Sequence, residues 1–214
     1  MYQNRRRAGE TLADELAARR YEHINLFAVP RGGVLVAAPI AERFGVGIDI
    51  LVTRKIGHPA NPEVAIGAVM ADGTAVLDEE LIRAYAVPPE YIDRAIAREF
   101  AEIERRMITY TGSAATPDVA GRTAVIVDDG IATGYTIRAA IAWLKTLGPA
   151  KIVVAVPVAP PETVAEIAGD IDEIICPLQP AVFMAVGQHY REFGQNSDQE
   201  VLAILRAVNR KLRP

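Results

Sequence analysis

The sequence contains one cysteine, Cys176, so no internal disulfide can form. Its histidines, His23, His58 and His189, stand far apart, which argues against a dedicated transition-metal site. No run reaches the ~18 apolar residues that a membrane-spanning helix requires, because Arg, Asp, Gly or Pro interrupts each long apolar segment. The opening stretch, MYQNRRRAGETLADEL, lacks the apolar segment that follows the basic start of a secretory signal, so the expected location is cytoplasmic. There is no excess of positive charge: Lys+Arg number 23 against 27 Asp+Glu, and the net charge of -4 excludes general nucleic-acid affinity, which depends on neutralising many phosphates. The one basic run, Arg5, Arg6 and Arg7, reads as the solvated start of a helix. Gly-x-x-x-x-Gly-Lys-Ser/Thr and Gly-x-Ser-x-Gly are both missing, so neither a P-loop nor a hydrolase nucleophile elbow is present.

What is present is the composition of a soluble globular protein, 50% hydrophobic and 23% charged, which excludes disorder. A chain of 214 residues buries roughly 70% of its unfolded surface and needs no staples. Near-continuous apolar runs recur at Leu26 to Val29, Ile48 to Thr53, Thr123 to Val127, Lys151 to Val158 and Asp172 to Cys176. Such runs suit parallel strands covered on both faces. Helical patterns alternate with them at Gly33 to Phe44, Tyr135 to Leu147 and Pro161 to Ala168. The alternation predicts an α/β fold: an open, mainly parallel, doubly wound sheet flanked by helices, in one domain over residues 1–214 with its core at about 26–176.

Three further helices are expected. One covers Ala8 to Arg20, with Leu12 and Leu16 at helical spacing, and one lies near the C-terminus, marked by Val201, Ile204, Leu205 and Val208. The longest, Pro89 to Tyr110, aligns Ile92, Ile96, Phe100, Ile103 and Met107 on one stripe with Glu and Arg on the other face. It reads as a packing wall, one that the expected homodimer would use, and not as a site. Gly and Pro mark loops at His58 to Pro62, Thr111 to Gly121 and Pro177 to Asn196.

Chemistry concentrates where the apolar run Thr123 to Val127 ends in Asp128 and Asp129, followed by Gly130, Ile131, Ala132, Thr133, Gly134, Tyr135 and Thr136. The carboxyl ends of strands are where open α/β sheets bind ligands. Thr133 to Thr136 offers successive backbone N–H groups, two hydroxyls and a helix N-terminus, which together form a phosphate cradle. Acids beside a phosphate cradle suit a ribose 5-phosphate: the loop takes the phosphate while Asp128 and Asp129 accept hydrogen bonds from the sugar hydroxyls. After the first strand, Arg31, Gly32 and Gly33 form a second anion loop, the glycines permitting close backbone approach and Arg31 adding a bidentate charge.

Asp-Asp-x-x-x-Thr-Gly-x-Thr after a hydrophobic strand resembles the phosphoribosyl pyrophosphate motif of type I phosphoribosyltransferases, and every fixed position matches. The resemblance covers roughly Leu26 to Cys176 and points to a poorly characterised branch of that family. It implies transfer of a 5-phosphoribosyl group from phosphoribosyl pyrophosphate to a nitrogenous base, with Mg2+ held mainly by substrate oxygens and water. Arg31, Gly32 and Gly33 then resemble the pyrophosphate loop, where the family often has a non-proline cis peptide. Arg54 and Lys55 resemble the entry to a mobile catalytic loop, with Lys55 catalytic alongside Asp128 and Asp129; an exposed basic pair on a hairpin is the other reading of the same residues. His58 is either part of that loop or simply solvated. Pro177 to Asn196 resembles part of a hood over the acceptor base, where Phe183 either stacks on a ring or packs inward. Two other functions remain open: a non-catalytic sensor of phosphoribosyl pyrophosphate or a nucleotide, and a phosphoribosyl hydrolase or domain acting with a separately encoded partner.

Overall fold

The computed structural model describes residues 1–111 and 117–210; part of the expected Thr111 to Gly121 loop lies outside the described residues. Five strands form a parallel sheet: β1 (Ile24–Ala28), β2 (Ile48–Ile50), β6 (Thr123–Val127), β7 (Lys151–Ala155) and β8 (Glu173–Ile175), in the order β2-β1-β6-β7-β8. Between β2 and β6 come β3 (Arg54–His58), β4 (Asn61–Val69) and β5 (Ala75–Leu77), which pair antiparallel in a separate three-stranded sheet. The helices are α1 (Arg5–Ala18), α2 (Gly32–Phe44), α3 (Glu79–Ala84), α4 (Pro89–Thr111), α5 (Tyr135–Thr146), α6 (Pro161–Ala168) and α7 (Asp198–Arg210), with a short 3-10 turn at Val186–His189.

The apolar runs bury both faces of the parallel sheet. Leu26, Ala28, Val125, Val127, Val153 and Ala155 face a core shared with Leu12, Leu16, Ile40 and Leu205. Their neighbours Phe27, Ala124, Ile126, Ile152 and Val154 face the opposite core with Ile137, Trp143 and Leu144. Two-residue periodicity thus operates with both sides apolar, as a helix-covered parallel sheet requires. The outcome is the α/β sheet flanked by helices that the β-α-β alternation predicts.

Several boundaries differ from expectation. The run Ile48 to Thr53 pairs only to Ile50 because the chain leaves for the hairpin, although Leu51 and Val52 stay buried. The run Lys151 to Val158 pairs as β7 only to Ala155; beyond it Val158 makes an isolated bridge to Leu178. The first helix begins at Arg5, capped by Asn4, whose side chain accepts from the Arg7 N–H at 3.1 Å. The expected loop His58 to Pro62 is the β3–β4 turn with strand on either side. The antiparallel sheet contains the hairpin that was the other reading of Arg54 and Lys55, while its third strand and α3 were not expected.

β1 lies between β2 and β6, and the chain runs from β1 to β2 before returning on the other side. That is the topological switch point, where the loops leaving adjacent strands diverge and open a crevice. The loops leaving β1 and β6 carry the residues singled out above.

Candidate active site

The two loops are joined at their roots: the Val29 N–H donates to the Val127 carbonyl at 2.9 Å. The Pro30–Arg31 peptide is cis, matching the expectation for this loop. Gly32 presses against the acids so closely that a Cβ there would lie 1.9 Å from Asp129 Oδ2, and one on Gly33 would lie 2.7 Å from the Val127 carbonyl oxygen. The glycines thus allow the β1 loop to touch the acid pair. Arg31 is exposed beside them.

Asp128 Oδ1 accepts from the Asp129 N–H at 2.7 Å, turning the first acid back over the strand end. Burial, reinforced by the neighbouring Asp129 charge, pushes the Asp128 carboxyl well above the usual range. Burial also raises Asp129, with Arg5 opposing it. Arg5 corrects the sequence reading. Expected as part of a solvated run, its side chain is 10% exposed and its Nε donates to Asp129 Oδ2 at 2.7 Å. Arg6 and Arg7 do remain at the surface, paired with Glu42 and Glu10.

The cradle opens α5. Gly134 sits at φ 76°, a left-handed conformation that an L side chain resists, and its carbonyl receives the first helical bond, from the Arg138 N–H at 2.9 Å. The N–H groups ahead of Arg138 therefore have no intrahelical acceptor. Ala132, Thr133, Tyr135 and Thr136 are exposed at this end, while Gly130 is buried against Val158 and Val186. Ile131 does not serve as expected: its side chain is core, and its N–H donates to the Val158 carbonyl at 2.9 Å. Likewise the Gly33 N–H is used within its own loop, donating to Val29 O at 3.0 Å.

Arg54 and Lys55 belong to strand β3, the hairpin alternative. Alternation places them on opposite faces. Arg54 shares its face with fully buried Ile56 and donates through Nε to Glu99 Oε2 on α4 at 2.9 Å; Lys55 is exposed. The α4 wall thus carries an inward carboxylate where an all-apolar stripe was expected. His58 takes part in the turn, its Nδ1 accepting from the Ala60 N–H at 3.2 Å.

In the Pro177 to Asn196 segment, Phe183 is half-buried and stacks on His189 with ring centroids 5.2 Å apart, so the protein already covers one side of it. Tyr190 reaches the acids directly, donating its hydroxyl to the Asp129 carbonyl at 2.6 Å. The Arg5 and Tyr190 bonds to Asp129 and the Glu99 bond to Arg54 are contacts that sequence reasoning did not assign. For two of them a signal existed: Arg5 precedes Ala8, Leu12 and Leu16 on the buried face of α1, and Glu99 lies between Ala95 and Ile103 on that of α4. A charged residue in register with a buried stripe needs an internal partner.

Among the described residues no group of three or more His, Cys, Asp or Glu side chains is placed to hold a metal ion. The Asp128 and Asp129 carboxylates offer hard oxygens of the kind that suits Mg2+ keeping most of its ligands as water and substrate oxygen. No described helix is long and apolar enough to cross a membrane.

Comparison with known proteins agrees with the motif. Two provisionally named phosphoribosyl transferases of Mycobacterium tuberculosis are each 40% identical over 210 residues, 98% of this chain and 47% of theirs, so the chain spans about half the length of the curated relatives it matches. The crystal structure of TT1426 from Thermus thermophilus superposes with a TM-score of 0.82 at 39% identity, over 95% of this chain and 97% of that one. A family model described as the phosphoribosyl transferase domain matches residues 3–191, and with nearly the whole chain covered, this protein belongs to that family.

Proposed function

We propose that the chain transfers the 5-phosphoribosyl group of phosphoribosyl pyrophosphate to a ring nitrogen of a base. The observation that carries this reading is the convergence, at the switch point, of the Asp128–Asp129 pair, the Arg31–Gly32–Gly33 turn that touches it, and the exposed start of α5.

In this reading the Thr133 to Thr136 cradle holds the 5-phosphate, Asp128 and Asp129 accept from the ribose hydroxyls, and Arg31 faces the pyrophosphate. The anomeric C–O bond breaks ahead of C–N bond formation, with inversion. Pyrophosphate leaves with the electron pair, the base nitrogen forms the new bond, and its proton passes to water. Positive charge then develops on the sugar beside the acids and negative charge beside Arg31 and Lys55, so fixed opposite charges favour the transition state over the ground state. When bound, Mg2+ would neutralise pyrophosphate charge, with Asp128 and Asp129 holding it through its waters.

One observation favours the alternative of a non-catalytic sensor: Arg54 is engaged by Glu99. The two readings part in an assay of labelled pyrophosphate release from phosphoribosyl pyrophosphate and Mg2+ across a panel of purine and pyrimidine bases. Release with at least one base, abolished by Asp128→Asn with Asp129→Asn, supports transfer. Micromolar binding with no release from any base would replace it by the sensor.

A further inference from the structure

Arg5 reaches the acid pair from outside the parallel sheet, and its position is built from several directions. The N-terminal residues pair with the segment after β8: the Tyr2 N–H donates to His189 O at 2.8 Å, the Arg191 N–H to Tyr2 O at 3.0 Å and the Glu192 N–H to Gln3 O at 2.9 Å. The Arg5 guanidinium then lies 3.8 Å from the centroid of the Phe193 ring and donates through Nη1 to Gly194 O at 2.9 Å. Its Nε is left aimed at Asp129 Oδ2. Asp129 is held at its other end as well, its N–H by Asp128 Oδ1 and its carbonyl by the Tyr190 hydroxyl.

We infer that Arg5 is a positioning residue for Asp129: by fixing Oδ2, it turns Oδ1 into the acceptor that reads a sugar diol. The inference rests on the assignment of Asp129 to the ribose hydroxyls and adds what makes that assignment selective. A carboxylate free to rotate loses torsional freedom when it binds a hydroxyl, whereas one already gripped along one oxygen does not. The geometry also explains Gly32, since a side chain there would strike Asp129 Oδ2 and come within 2.9 Å of Arg5 Nε. Because the guanidinium is buried between an aromatic face and a backbone carbonyl, it is part of the site's wall and not an arm waiting to be displaced.

The test compares binding of ribose 5-phosphate, 2-deoxyribose 5-phosphate and inorganic phosphate by calorimetry. The wild type should prefer ribose 5-phosphate over the deoxy sugar. Arg5→Gln should reduce that preference about tenfold, the worth of one charge-assisted hydrogen bond, while leaving inorganic phosphate affinity unchanged. Arg5→Lys, which keeps the charge, should recover part of it. Equal weakening of all three ligands would reveal a merely structural role and overturn the inference, as would tighter sugar binding, which would make Arg5 a block. If the wild type binds phosphate without preferring the diol, the assignment of the acids falls and the inference with it. If the preference exists and Arg5→Gln retains it, the inference falls alone. Should Arg5→Gln not fold, because it leaves Asp129 buried and unpaired, Asp129→Asn is compared with the Arg5→Gln, Asp129→Asn double variant. Residues acting through one another are non-additive, so the two should discriminate equally, and a further loss in the double variant would overturn the inference.

Discussion

Arg54 on β3 and Glu99 on α4 form an ion pair at 2.9 Å in which the Glu99 side chain is 9% exposed and that of Arg54 35%. A second cation, Arg98, closes on the other Glu99 oxygen at 3.0 Å, so neither oxygen of this buried acid lacks a donor. The pair fastens the antiparallel sheet to the long helix, and Tyr91 adds a second fastening by donating its hydroxyl to Gly57 O at 2.7 Å.

Glu99→Gln removes the charge but keeps an acceptor, and should destabilise the protein by about 1 to 2 kcal/mol. That is less than the ~3 to 5 kcal/mol typical of breaking a fully buried pair, because Arg54 can turn partly to water. Glu99→Leu should cost more, since two guanidinium groups then lose their acceptor. Urea denaturation curves check both, and an unchanged midpoint for Glu99→Leu would show that the pair fastens nothing.

Lys55, on the opposite face from Arg54, is the test of hairpin involvement in turnover. If it meets pyrophosphate as charge builds there, Lys55→Ala should lower kcat by ~10²- to 10³-fold with little change in substrate Kd. A loss confined to Kd would place Lys55 in ground-state binding alone.

How much of this could be read in advance follows from where the information lay. The strands of the parallel sheet were legible because Thr123 to Val127 is buried on both faces and therefore apolar throughout. Asp128 and Asp129 were legible because two acids directly after such a strand are costly unless used. β4 was not legible: its Asn61–Val69 stretch contains Pro62 and Gly67, and it pairs with β3 through an irregular register that leaves no clean alternation. The Arg5–Asp129 pair was hidden because 124 positions separate the partners, and helical spacing shows only that Arg5 faces inward, not what it meets.

Gly32→Ala tests the close approach of the two loops. Its Cβ would stand 1.9 Å from Asp129 Oδ2, a distance that requires either the Arg5–Asp129 pair or the β1 loop to move. Overpacking of this kind costs ~1 to 3 kcal/mol, and affinity for phosphoribosyl pyrophosphate should fall at least tenfold, as read by calorimetry. Gly169→Ala, whose nearest neighbour is the Glu166 carbonyl at 4.0 Å, is the control and should change neither quantity. Equal behaviour of the two variants would mean that the loops are further apart than the structure places them.

Asp128 carries the last prediction, because its raised carboxyl links function to stability. An acid whose pKa is higher in the folded protein than in the unfolded chain makes the folded state hold its proton to higher pH. As pH rises from the ordinary carboxylate range through that raised value, the unfolded chain releases its proton first, and the folded state loses stability. The loss persists at neutral pH, where burial and the Asp129 charge both oppose the Asp128 carboxylate. Asp128→Asn removes this charge but retains the oxygen that accepts from the Asp129 N–H at 2.7 Å. The variant should therefore be inactive in pyrophosphate release yet more stable at pH 7. A rise in Tm is expected. The gain should shrink as pH is lowered, since the wild-type carboxyl then protonates and the two proteins become electrostatically alike. Melting curves of both proteins from pH 4 to 8 decide the matter: a Tm at or below that of the wild type at pH 7, or a gain independent of pH, would show that the Asp128 charge is not a burden on the fold.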